Sequence, residues 1–309
     1  MPKLLRSALC AATACAAALA ATSAGAVTFS DASGQYTLGI GPNGELYDTA
    51  TGVGLRNPAG ADYIAPGTPR DSWGVTSNLG SAYADYQAFG TSGVVATTTT
   101  TGVNTATLVT TTNVGLSVSQ TYSFLSPNIV SVHETVTNIG LTTASDVVFR
   151  RNVDFDISPY PFVEDHTSGP IGGYPLVRAA TYDAFDDPDP ATPFANICSP
   201  SCDQTGDLGA GIDIGLGNLA AGQSASVTYF YGINQPGQTL AQLIAEAQAD
   251  HIAFLIPDES LVNPGAAFLG VGLVPEPSTW AMMLVGMLGL GGALRAHRRS
   301  DRRRQALQA

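Results

Sequence analysis

The chain has 309 residues, 44% of them hydrophobic and only 12% charged, and a net charge of −12. Residues 27–273 hold five arginines, no lysine and 23 of the 25 acids, so that stretch alone carries −18. A body this acidic repels phosphate backbones, which excludes nucleic acid as a partner, and its ordinary apolar content excludes general disorder.

At the start of the chain, Lys3 and Arg6 precede an alanine-rich apolar run over residues 8–21. Ala24-Gly25-Ala26 then offers the small-x-small pattern that signal peptidase cuts. Residues 1–26 are therefore expected to be a signal peptide, with Ala24 and Ala26 at the processing site and Val27 as the mature start.

Residues 27–262 read as strands and turns. Residues 35–40 alternate in polarity, and Gly41-Pro42-Asn43-Gly44 turns the chain. Between residues 102 and 157 the period of two is clearest. Leu116, Val118, Tyr122 and Phe124 share one parity; Val130, Val132 and Val136 share another; Val147, Phe149, Val153, Phe155 and Ile157 line a third strand. This predicts an antiparallel meander with one buried and one polar face. Residues 158–207 read as irregular, and residues 224–233 as a further strand. Thr239 can cap the one convincing soluble helix, which carries Leu240, Leu243, Ile244 and Ala247 on one face. Residues 263–273 are expected to be a linker. The expected fold class is all-β, a large antiparallel β-sandwich with one short soluble helix and a C-terminal transmembrane helix. Its architecture resembles the mutarotase-like super-sandwiches of sugar-processing enzymes.

Several groups in the body bear on chemistry. Arg150, Asn152, Asp154 and Asp156 alternate along one strand and so share a face, which is expected to be polar and solvent-facing, with His133 near it. Such a row can hold sugar hydroxyls, and two carboxylates can cleave glycosides, although acids on one strand do not straddle a sugar. Asp183, Asp186, Asp187 and Asp189 are the candidates for calcium, the one cofactor entertained. Thr97–Thr101 reads as exposed strand, because a threonine lattice needs to return over several strands and only one such stretch stands out. Cys198 and Cys202, the two cysteines beyond the signal peptide, are expected to form a small structural disulfide in an oxidising compartment. Nucleophile elbow, phosphate loop, dinucleotide fingerprint and His-Glu-x-x-His motif are all missing from the sequence.

At the other end, residues 274–309 combine three features in order. Val274-Pro275-Glu276-Pro277-Ser278 comes first, then an uncharged apolar run over residues 280–294, then Arg295, Arg298 and Arg299 with three more arginines. The apolar run would span about 22 Å as a helix, short of a bilayer core of about 30 Å unless Trp280 and the arginine stems extend it. Arginines favour the cytoplasmic side, which leaves the body outside. This order resembles the PEP-CTERM sorting signal of Gram-negative bacteria. The resemblance implies recognition by a membrane-embedded exosortase, cleavage near Pro275-Glu276-Pro277, and delivery from the inner membrane to the cell envelope or extracellular matrix, often alongside exopolysaccharide. The sequence therefore predicts an exported, non-enzymatic protein with a structural or polysaccharide-binding β-sandwich body. A carbohydrate-active enzyme, glycoside hydrolase or mutarotase-like, is the alternative.

Overall fold

In a computed structural model, the described residues are 22–23, 25–86, 88–157, 162, 164–166, 170–198, 204–260 and 265–272. The expected sorting signal over 274–309, and nearly all of the expected signal peptide, lie outside them. The chain opens with β1 (Thr22–Ser23), β2 (Val27–Ser30), β3 (Thr37–Ile40), β4 (Leu55–Arg56), β5 (Asp71–Ser77), β6 (Gly80–Asp85) and β7 (Thr91–Ser92). Longer strands follow: β8 (Val94–Gly102), β9 (Thr105–Thr112), β10 (Leu116–Ser126), β11 (Ile129–Asn138) and β12 (Ala144–Asp154). Next come β13 (Glu164–His166), β14 (Ile171–Gly172), β15 (Val177–Thr181), β16 (Gln204–Gly206), β17 (Gly209–Leu219) and β18 (Ser224–Ile233). Helix α1 (Leu240–Ala249), β19 (Ile252–Ser260) and β20 (Ala266–Gly272) complete the order.

The strands form three antiparallel sheets. The largest runs β1-β8-β9-β10-β11-β18-β20-β19-β13-β16, with β14 also on β19. A six-stranded sheet runs β15-β17-β12-β5-β6-β7, and a small one β2-β3-β4. Alternate apolar residues explain how they meet. Val118, Tyr122, Val132 and Tyr229 of the large sheet share one core with Trp73, Val75, Phe149 and Ile212 of the six-stranded sheet, and Leu38, Ile40 and Leu55 of the small sheet join it. A second core packs Leu243 and Ala247 of α1 against Ile129, Phe230 and Phe268, so the helix covers part of the large sheet's outer face. Thr239 caps that helix through a reciprocal pair with Gln242, as its sequence predicts. Among the described residues, the fully buried members of both cores lie between Tyr36 and Val271, and Val27 and Phe29 pack against the first.

Two expectations need correction. The meander holds for β8 to β11, but the third expected strand, β12, does not pair with β11. It crosses to the six-stranded sheet between β17 and β5. The chain pivots after Asn138, and Asp146 adopts φ 53° just inside the new strand. The second correction concerns residues 263–273. Residues 266–272 are no linker: β20 lies between β18 and β19, and all seven of its residues are buried. Its Ala-Ala-Phe-Leu-Gly-Val-Gly run is apolar on both faces, because one face meets the inter-sheet core and the other meets α1.

A body ending at Leu273 should therefore give a cooperative thermal transition by circular dichroism. One ending at Val262 should not, because it removes a central strand with two ladders. Equal melts for the two would restore the linker reading.

Candidate functional site

Arg150, Asn152 and Asp154 do share the outer face of β12, with Asp156 just past its end, but all four are closed off. Each is at most 2% exposed. The segment over residues 183–196 lies across it as a roof. Arg150 donates from Nε and Nη2 to both oxygens of Asp213 (2.7 Å each) and from Nη1 to the carbonyls of Asp187, Asp189 and Thr192. Phe194 covers the guanidinium at 3.7 Å. Arg70 holds the other end of the roof, bonding Asp85 and the carbonyl of Asp186 at 3.1 Å each. Gly74 lets the roof settle: a Cβ there would lie 2.0 Å from the Pro188 carbonyl oxygen. The expected solvent-facing row is thus the inside of a lid, since the residues that cover it lie far along the chain.

The acidic loop turns out to be that roof. Asp183 accepts from the Phe185 amide and Asn196, Asp186 from the Ala195 amide and Thr181, Asp187 from the Asp189 amide, and Asp189 from the Ala191 amide and Ser81. These bonds brace turns. A different trio, Asp154, Asp156 and the exposed Asp207, brings one oxygen each within 4.8 Å of the others, a set that could hold a divalent cation. Sequence spacing could not assemble it, because Asp207 returns from beyond the irregular segment. Cys198 is buried and donates its amide to the Ala180 carbonyl, while Cys202 lies outside the described residues.

The opposite parity of β12 carries Arg151, which sequence reading passed over. It points into the core and pairs through Nη2 and Nε with Asp71. Asp71 also accepts from the Leu46 amide (2.7 Å) and the Tyr231 hydroxyl (3.1 Å). The Gly44 carbonyl accepts from Arg151 (3.0 Å) and Tyr122 (2.6 Å). Burial pushes Asp71 up to about 7 against the pull of Arg151. Glu134, fully buried nearby and opposite Gln120, is raised well above its ordinary range by burial, opposed by Arg151 and by Gln120.

His133 does not join the β12 residues. It sits on the outer face of the large sheet, on the far side of the sandwich, 3.3 Å from Thr228 and 3.5 Å from Thr135. Its surroundings are distinctive. Strand register places Ala96, Thr111, Ser117, Thr137 and Ser224 in one row across β8, β9, β10, β11 and β18. Thr98, Val109, Ser119, Thr135 and Ser226 make the next, and Thr100, Thr107, Thr121, His133 and Thr228 the third. Only Ala96, Val109 and His133 interrupt the hydroxyls, no carboxylate or guanidinium enters, and none of these residues is buried. Neighbouring hydroxyls bond one another, as in Thr107–Thr121 (3.0 Å), Thr135–Ser226 (2.8 Å) and Thr137–Ser224 (2.8 Å). The isolated-stretch reading of Thr97–Thr101 is therefore corrected: the lattice returns on four further strands. At usual strand spacings it covers about 19 by 14 Å.

One groove, of about 550 Å³, opens on the six-stranded sheet beside Asn78, Asp146, Arg178, Pro190 and Asp213. Asp146 and Asp213 come from adjacent strands, but guanidinium groups hold both. Arg178 bonds Asp146 at 2.7 Å and keeps its carboxyl below the usual range, whereas burial raises Asp213 against its bonds with Arg150. No protein-family model matches the chain, and no curated protein matches it.

The buried carboxyls set a pH dependence. Because burial raises Glu134 above 4.5, the folded chain holds that proton more tightly than the unfolded chain does. Its contribution is intact below about pH 4.5 and is lost as pH climbs toward the folded value. Asp71, at about 7, acts in the same sense. Asp31 and Asp48 are shifted down from 3.8 and act only in stronger acid. The protein should therefore melt at a lower temperature at pH 8 than at pH 5, and Glu134→Gln should narrow that difference. Identical pH profiles for the two proteins would contradict a neutral buried Glu134.

Proposed function

We propose that this is an exported envelope protein whose body binds an uncharged polysaccharide on the hydroxyl face of its large sheet. The observation that carries the reading is the three-row hydroxyl lattice over five strands. Each hydroxyl offers one donor and two acceptor positions, so after bonding its neighbour it can still serve a sugar hydroxyl. The absence of charge matters in a body of −18, since a buried unpaired charge would cost far more than a hydroxyl. The groove fits less well, because its carboxylates are already committed to Arg150 and Arg178.

Export and sorting complete the proposal. Signal peptidase would release residues 1–26. The 274–309 segment would cross the inner membrane until exosortase cuts near Pro275-Glu276-Pro277. Among the described residues, every strand apart from β1, and the helix, fall between Val27 and Gly272, within the span such processing would leave. A super-sandwich architecture and a Cys198–Cys202 bridge belong to the same reading, as does delivery to the cell envelope or matrix.

The test is co-sedimentation of residues 27–273 with microcrystalline cellulose and with insoluble β-1,3-glucan. Retention on either should change little between about 50 and 500 mM NaCl, as expected for uncharged contacts. The double variant Thr121→Glu, Thr135→Glu should lose about tenfold or more in affinity with its melting temperature preserved. Retention on neither polymer, or equal retention by the variant, would overturn the face as the site. If Arg178→Ala alone abolished retention, or if oligosaccharides were cleaved to new reducing ends, the groove and the hydrolase alternative would take its place.

A further inference from the structure

The β8 side of the large sheet ends in a nine-residue strand, Val-Val-Ala-Thr-Thr-Thr-Thr-Thr-Gly. Among the described residues only two lie along its outer edge: Thr22 pairs with Thr99, and Ser23 with Thr98. Proteins usually protect such an edge with lysine, proline, an inward charge or a very short strand. The other sheet ends obey this rule by brevity. β16 has three residues, β7 two and β15 five. β8 has no charged residue and no proline, and its one irregularity sits at its first residues, between Val94 and Ala96. Seven of its nine residues are β-branched, the chemistry that favours extended pairing. Val95 within it and Val103 just after it are 65% and 91% exposed.

The short strand β1 shows what this edge accepts, an antiparallel neighbour of ordinary register. Yet Thr22 and Ser23 lie on the signal-peptide side of Ala24-Gly25-Ala26, so the processing proposed above removes them. We propose that in the mature protein two copies pair antiparallel through β8, about a two-fold axis near Thr98 and Thr99, to make one continuous sheet. Such an isologous contact uses the same patch twice and closes on itself, so it stops at a dimer. Charge sets the conditions. Two bodies of −18 repel, but neither β8 nor β9 carries an acid, so the surfaces that meet are neutral. At physiological salt, repulsion from charges beyond about 8 Å is largely screened. Pairing also joins the hydroxyl faces, because Thr98 and Thr100 of each copy point to the same side. The combined face would be about 40 Å wide.

The proposal rests on removal of residues 1–26, and the experiment separates the two by preparing residues 27–273 directly. Sedimentation equilibrium should show a reversible dimer that tightens from about 50 to 500 mM NaCl. A chain beginning at Thr22 should associate about tenfold more weakly, and Thr98→Lys, Thr100→Lys should remain monomeric with an unchanged melt. Thr98→Cys should cross-link under mild oxidation to a covalent dimer, whereas Ser224→Cys, on the far side of the same face, should not. A monomer at all concentrations, a dimer indifferent to the lysines, or equal cross-linking of both cysteine variants would overturn the pairing. A secreted protein that still begins upstream of Thr22 would instead remove the processing premise and leave the pairing of the 27–273 body to be judged on its own data.

Discussion

The buried contact between Arg151 and Asp71 is the point where all three sheets meet. Arg151 belongs to β12 and Asp71 to β5, both in the six-stranded sheet. Tyr231 and Tyr122 reach the same centre from the large sheet. The turn that follows β3 contributes the Gly44 carbonyl and the Leu46 amide. Taking both charges out of water costs about as much as their attraction returns, so such a pair adds little net stability. Its value lies in geometry, since removing Asp71 would leave the Arg151 guanidinium charged, buried and without its partner, at a cost of about 3–5 kcal/mol. Gly44 shows how tight the centre is: it adopts φ 94°, and a Cβ there would lie 2.1 Å from the side-chain oxygen of Gln120. Trp73 locks the same turn through its ring nitrogen and the Asn43 carbonyl, at 2.7 Å.

Around that centre the two outer faces were given opposite treatment. On the six-stranded sheet, guanidinium groups and aspartates are drawn under a roof and spent on internal bonds. On the large sheet, the outer face across β8 to β11 and β18 is left open and carries no carboxylate or guanidinium. A strongly acidic protein can thereby present a neutral surface without changing its overall charge. This division, more than any single residue, makes the hydroxyl face a candidate for contact with a neutral partner.

Much of this was legible in the sequence, and the failures have identifiable causes. The parity of Val118, Tyr122, Val132 and Phe149 located the core correctly, because a period of two is a local property of each strand. The common face of Arg150, Asn152, Asp154 and Asp156 was equally legible. Its burial was not, because the roof over it comes from 30 or more residues further along and has no regular structure to announce it. Arg151 was invisible as a core residue, since a charged side chain at an apolar position looks like an interruption. The serines and threonines of β10, β11 and β18 were read only as the polar half of each alternation. Their rows exist through register, and Thr98 and Ser226 share one although 128 positions separate them. Residues 266–272 misled for another reason: alanine and glycine dilute an apolar run until it resembles a spacer.

The position of that last strand has a mechanical side. The chain beyond Gly272 leaves the body from β20, which is hydrogen-bonded to β18 on one side and to β19 on the other. A pull on this end does not peel an edge strand away one bond at a time. It loads two ladders together along their length, so many bonds share the force before any gives. The attachment point is thus a strand held on both sides, and a protein tethered there would resist tension better than one tethered through an edge strand.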